Sequence, residues 1–147
     1  MKVIKITLKI LHGFLALSAI GGGIGLLTGV AAPPQEMISG TMFESYLIPG
    51  LSLLVLVGGS AAAAFILFIM NNPKATSLSF AAAIILGIFI TVEILTIGSP
   101  EGVGKNLQIL YMFVAVLIGF YTSMLRKMED QVDLPRPKKK KQEETGG

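Results

Sequence analysis

The sequence predicts an all-α fold, a polytopic membrane protein built as a four-transmembrane-helix bundle. Two observations predict it. Of 147 residues, 52% are hydrophobic and only 14% are charged, against about 25% charged in an ordinary soluble domain. Four windows, 10–30, 47–70, 78–98 and 107–125, together hold one charged residue, Glu93. A helix rises about 1.5 Å per residue, so about 20 residues cross a hydrocarbon core of about 30 Å. Each window meets that length, and none has the polar face that a soluble bundle helix needs.

The first helix, 10–30, follows a basic N-terminal segment, 1–9, with Lys2, Lys5 and Lys9. A basic start before an apolar run also suits a signal peptide. The run exceeds an ordinary h-region and Pro33 follows Val30-Ala31-Ala32, so an uncut helix is expected. Gly21, Gly25 and Gly29 repeat at four-residue spacing, with Gly22 and Gly23 widening the stripe, which stacks them on one face where backbones can approach. Gly59 and Ala63 repeat the spacing on helix two. These are the expected helix-packing positions, within one bundle or in a homo-oligomer.

The connectors carry stop and start signals. Pro33-Pro34 ends the first helix, Ser45 can cap the second, and Pro49 falls in its first turn, where a missing N–H costs nothing. Asn71-Asn72-Pro73 ends that helix, and Thr76 or Ser77 can cap the third. Ser99-Pro100-Glu101-Gly102 turns again before Asn106, a candidate cap for the fourth. The segment 126–147 is polar, with Pro135, Pro137 and the run Lys138, Lys139, Lys140, Lys141. It reads as a disordered basic tail.

Eleven of the twelve Lys and Arg fall on the side that holds both termini, and Lys105 alone falls opposite. The positive-inside rule therefore predicts a multi-pass protein of the plasma or inner membrane, N-terminus and C-terminus cytoplasmic. The expected partners are the bilayer itself, anionic headgroups drawn to Lys138–Lys141, and a second copy or another membrane protein. Nucleic acid is not expected, since no aromatic reader accompanies the lysines.

Glu93 is the one acid inside an apolar window, and intramembrane acids are functional candidates by default. Counting the same depth on the other helices points to Ser52 and Tyr111 as hydrogen-bonding partners. His12 reads as an interfacial histidine beside Lys9. With no Cys and one His, no metal site, cofactor site or catalytic constellation is expected.

The stretch Tyr46-Leu47-Ile48-Pro49-Gly50, followed by Gly58-Gly59-Ser60, resembles a group of small four-helix bacterial integral membrane proteins. That resemblance implies fold and compartment and supplies no activity. In size and helix number the chain is also similar to small multidrug resistance transporters. Those carry their essential Glu in the first helix, whereas here it stands in the third. The expected role is a non-catalytic packing or accessory component; the alternative is a small proton-coupled transporter or channel, working as a dimer, that uses Glu93.

Overall fold

The computed structural model describes residues 1–30, 45–98 and 103–133. The helices are α1 (Lys2–Thr28), α2 (Leu47–Leu51), a π-helical segment (Ser52–Gly58), α3 (Gly59–Ile69), α4 (Ala75–Ile97) and α5 (Val103–Asp133). Four stretches are long and apolar enough to cross a membrane: Lys2–Thr28, Leu47–Ile69, Ala75–Thr96 and Lys105–Val132. Here α2, the π segment and α3 form one continuous second span. The protein is an all-α, multi-pass four-helix bundle.

Each span packs on the next. α1 lies along the second span, α3 against α4, α4 along α5, and α5 touches α1 to close the ring. The interior is filled by Leu8, Leu15, Ala19, Val57, Ala61, Phe68, Leu86, Ile90, Ile118 and Leu125. Leu17, Leu95, Ile10 and Val116 are among the large apolar side chains left outside. That inversion suits an apolar solvent, in which bundles are held by packing and interhelical bonds.

Two spans are longer than their uncharged windows. α1 begins at Lys2, so the 1–9 segment is helical, and α5 continues to Asp133, so 126–133 is helix and not tail. Charge ends a membrane span but does not end a helix. Arg126, Lys127, Met128, Glu129 and Gln131 are all good helix formers, and Arg126 settles over the Phe80 ring at 4.8 Å. The connections 31–44 and 99–102 and the segment 134–147, with Lys138–Lys141, lie outside the described residues.

Capping also differs from expectation. Ser45 does accept from the Leu47 N–H, at 3.3 Å, but Thr76 and Ser77 lie inside α4 and Asn106 lies inside α5. The turn between the second and third spans instead uses Asn71 in the left-handed region, φ 52°. The Asn72 N–H then reaches back to the Leu67 carbonyl at 2.9 Å, as in a Schellman closure. Asn72 Oδ1 accepts from the Lys74 N–H at 2.9 Å.

The close approach of span one to span two uses the widened edge of the glycine stripe, at Gly23, and not its four-residue series. Gly21 and Gly59 have open space where a β-carbon would sit, and Gly29 is the C-terminal cap of α1 at φ 80°. Gly25 and Ala63 are only partly buried. The contact is made one register over. A β-carbon on Gly23 would stand 2.7 Å from Leu54 Cβ and 3.0 Å from the Gly50 carbonyl oxygen, and one on Gly58 would stand 2.9 Å from Ile20 Cγ1. The π segment supplies Leu53 and Leu54 to this seam; its wider turn sets the facing positions in a way a regular helix count does not anticipate.

Gly23→Ala should therefore lower stability in detergent by about 1–3 kcal/mol through overpacking. Gly21→Ala should be neutral or gain up to about 1 kcal/mol of helix propensity. Thermal unfolding of the two variants against the parent checks this; equal melting temperatures would remove the Gly23 seam from the account.

Candidate functional site

Two polar clusters lie within the spans, near opposite ends of the bundle. The first was not expected. His12 is fully buried, and its Nε2 is hydrogen-bonded to Ser79 Oγ at 2.8 Å. Ser79 Oγ is in turn bonded to Thr122 Oγ1 at 2.7 Å. Phe68 stacks on the imidazole at a centroid distance of 6.0 Å. Every span thus places one side chain here: His12 from α1, Phe68 from α3, Ser79 from α4 and Thr122 from α5.

His12 Nδ1 is buried without a protein partner. In the neutral ring the network favours the tautomer in which Nε2–H donates to Ser79 and Ser79 donates to Thr122. Nδ1 is then a bare acceptor, and an under-satisfied buried acceptor is more readily tolerated than an orphaned N–H. His12 stands near the end of the first span, beside Lys9, as its position in the sequence implies; the structure adds that its ring faces the bundle interior and is fully buried. One signal was available: Ile4, Leu8, Leu15, Ala19 and Gly23 form the buried face of α1, and His12 falls on that stripe.

The second cluster is at Glu93. Its Oε1 accepts from Gln108 Nε2 at 3.4 Å, and the same amide donates to the Gly98 carbonyl at 3.0 Å. Gln108 is 4% exposed, and its Oε1 has no partner. No hydrogen bond joins Glu93 to Ser52 or Tyr111 among the described residues; Tyr111 packs against the apolar core instead. Two features displaced the expected partners. Ser52 opens the π-helical segment, which breaks the depth count on span two. On α5 the amide that reaches the carboxyl stands about one turn nearer the connection than Tyr111. An open groove of about 440 Å³ runs alongside, lined by Ile94, Lys105, Gln108, Met112, Phe113 and Val116.

Several other span hydroxyls fold back on their own helices. Thr28 donates to Ile24, Thr91 to Gly87, Thr96 to Val92 and Ser123 to Gly119, each at 2.7–2.8 Å. This is the local way to satisfy a hydroxyl in an apolar medium. Among the described residues no three His, Asp or Glu side chains come together in a group able to hold a metal ion.

Between the clusters the buried side chains are apolar: Leu15, Ala16 and Ala19 on α1, Val57, Ala61 and Ala64 on span two, Ala82, Ala83, Leu86 and Ile90 on α4, and Val114, Ala115 and Ile118 on α5. Ser18 and Ser60, at this depth, donate to their own backbones at Leu15 and Val57. Among the described residues no buried polar side chain bridges the two ends through this belt.

Ser79→Ala should cost about 1–2 kcal/mol, because it removes the partner of two buried groups while interhelical bonds in membranes each contribute about 0.6–1.7 kcal/mol. Ser18→Ala should stay within about 0.5 kcal/mol, as its bond is local. Unfolding of both variants in mixed micelles measures the difference, and equal stability would mean that the His12 network is not structural glue.

No family model matches the chain, and no curated protein or solved structure matches it either.

Proposed function

We propose that the protein is a non-catalytic packing or accessory component of the plasma or inner membrane, oriented with both termini in the cytoplasm. The observation that carries this reading is the belt of apolar buried side chains between the two clusters. A transporter needs a polar route by which a bound ion exchanges between two sides. Here the polar groups join helix to helix at two separate depths, with close-packed apolar side chains between them. Such an arrangement makes a rigid four-helix module whose outer surface is offered to lipid and to other membrane proteins. The lysines of the tail, Lys138–Lys141, add attraction to anionic headgroups of the cytoplasmic leaflet, and a second copy or another membrane protein is the partner such a module would take.

The second reading, proton-coupled transport through Glu93 by a small dimer, draws support from one feature: a carboxylate inside an apolar span, held by Gln108 beside an open groove. The two readings part on flux. In proteoliposomes with an imposed pH gradient, wild type and Glu93→Gln should both be silent, and Glu93→Gln should keep its stability within about 1 kcal/mol, since an amide retains the bond to Gln108. Wild-type flux that vanishes in Glu93→Gln would replace the accessory reading with the transporter.

Orientation has its own test. In this cysteine-free chain, a single cysteine at Glu44 should react with an impermeant maleimide on intact cells. One at Lys139 should react only after permeabilisation. The reverse pattern would invert the topology.

A further inference from the structure

The end of the bundle that holds Lys5, the Asn71–Lys74 turn and Glu129 contains a cleft of about 300 Å³, the size of a small ligand site. Its walls come from α1, the second span with its following turn, and α5. Phe68 forms the floor, only 2% exposed, with its other side against His12. Lys5, Asn71, Asn72 and Glu129 are the polar residues of the lining.

Two opposite charges share this space without neutralising each other. No salt bridge within 4.0 Å joins Lys5 to Glu129 among the described residues. Glu129 is fixed from behind: Thr76, 4% exposed, donates its hydroxyl across both carboxylate oxygens at 2.9 Å. A carboxylate has about four lone-pair sites, so acceptor capacity is left facing the cleft. On the other wall, the Lys5 ammonium and the side-chain amides of Asn71 and Asn72 are donors. Asn72 spends its Oδ1 on the Lys74 N–H, and this holds the residue in place while its NH₂ remains available.

We propose that this cleft binds a headgroup carrying both a phosphate and a primary amine, the phosphate on Lys5 and the two asparagine amides, the ammonium on Glu129. The nearby surface carries Lys74, Arg126 and Lys127 against one exposed acid among the described residues, Asp130, and this net positive charge by itself would favour any anionic lipid. Glu129 changes the selection. A phosphate without an amine leaves the buried side of the site as carboxylate against phosphate, and a quaternary amine brings charge without N–H donors. An aminophospholipid such as phosphatidylethanolamine satisfies both walls at the membrane surface, and soluble phosphoethanolamine carries the same two groups.

The test is competitive retention. The full chain in detergent is mixed with equal amounts of phosphatidylethanolamine, phosphatidylglycerol and phosphatidylcholine, and bound lipid is counted by native mass spectrometry. Wild type should prefer phosphatidylethanolamine over both others. Glu129→Gln keeps an oxygen for Thr76 and should reduce the preference over phosphatidylglycerol about tenfold, the equivalent of one charge-assisted hydrogen bond. Lys5→Gln should weaken phosphatidylethanolamine by a similar factor, while Lys127→Gln, outside the cleft, should leave the ratio unchanged.

A parallel arm adds free phosphoethanolamine. Displacement of the lipid at millimolar concentration identifies a soluble ligand of the same chemistry, and retention identifies the lipid. Equal binding of all three lipids by wild type would overturn the proposal, as would an unchanged ratio in a folded Glu129→Gln. If Glu129→Gln fails to fold, the contrast between Lys5→Gln and Lys127→Gln decides: equal effects of the two would overturn it.

Discussion

Everything in this structure answers to one constraint: within a bilayer there is no water to satisfy a polar group, so each must find its partner in the protein. Backbone groups meet it by remaining helical through all four spans. Hydroxyls meet it by bonding one turn back, as Thr28, Thr91, Thr96 and Ser123 do. His12 and Glu93 are too large or too polar for a local solution, and each therefore ties one span to another. His12 reaches diagonally across the bundle to Ser79 and, through it, to Thr122. Glu93 draws Gln108 from α5 and, with it, the carbonyl of Gly98 where α4 ends. The same requirement that makes these residues costly makes them specific, since wrong helix registers would leave them unpaired.

Packing provides the rest of the adhesion. Without a hydrophobic driving force between helices in lipid, close contact has to come from shape. The seam brings span one against span two closely enough that a carbon added at Gly23 would collide with Leu54 Cβ and the Leu54 backbone nitrogen, while one at Gly50 or Gly58 would press on the Leu27 or Ile20 side chain. The π-helical segment belongs to this seam, placing Leu53 and Leu54 over Gly22 and Gly23. On the other side of the bundle, α4 and α5 meet through small and medium residues, Ala82, Ala83, Leu86, Ala115 and Ile118, and the short turn at Asn71–Lys74 keeps the second and third spans neighbours.

The proposed accessory role rests on how these polar groups are spaced. Their separation by an apolar belt is what favours a packing module over one that conducts through its centre. The basic end is where chemistry concentrates: Thr76 orients Glu129, Lys5 stands opposite, and Phe68 separates their cleft from His12.

The four spans and their all-α bundle were legible in the sequence, because the cost of charge in hydrocarbon writes itself into composition as long uncharged windows. Glu93 stood out for the same reason. Helix ends were less legible: Lys2–Lys9 and Arg126–Asp133 extend their helices since charge opposes burial and not helicity. Pairings between spans were not legible. In a helix that is apolar all round, periodicity does not say which face is inside, so the glycine stripe did not single out Gly23 over Gly21 or Gly25, and nothing on α1 by itself turned His12 toward Ser79. Tertiary structure decided that choice. It alone set the rotation and depth of each span, through the π-helical register of Ser52–Gly58 and the polar groups that had to meet, and so placed His12 on Ser79, Gln108 on Glu93 and Glu129 on Thr76.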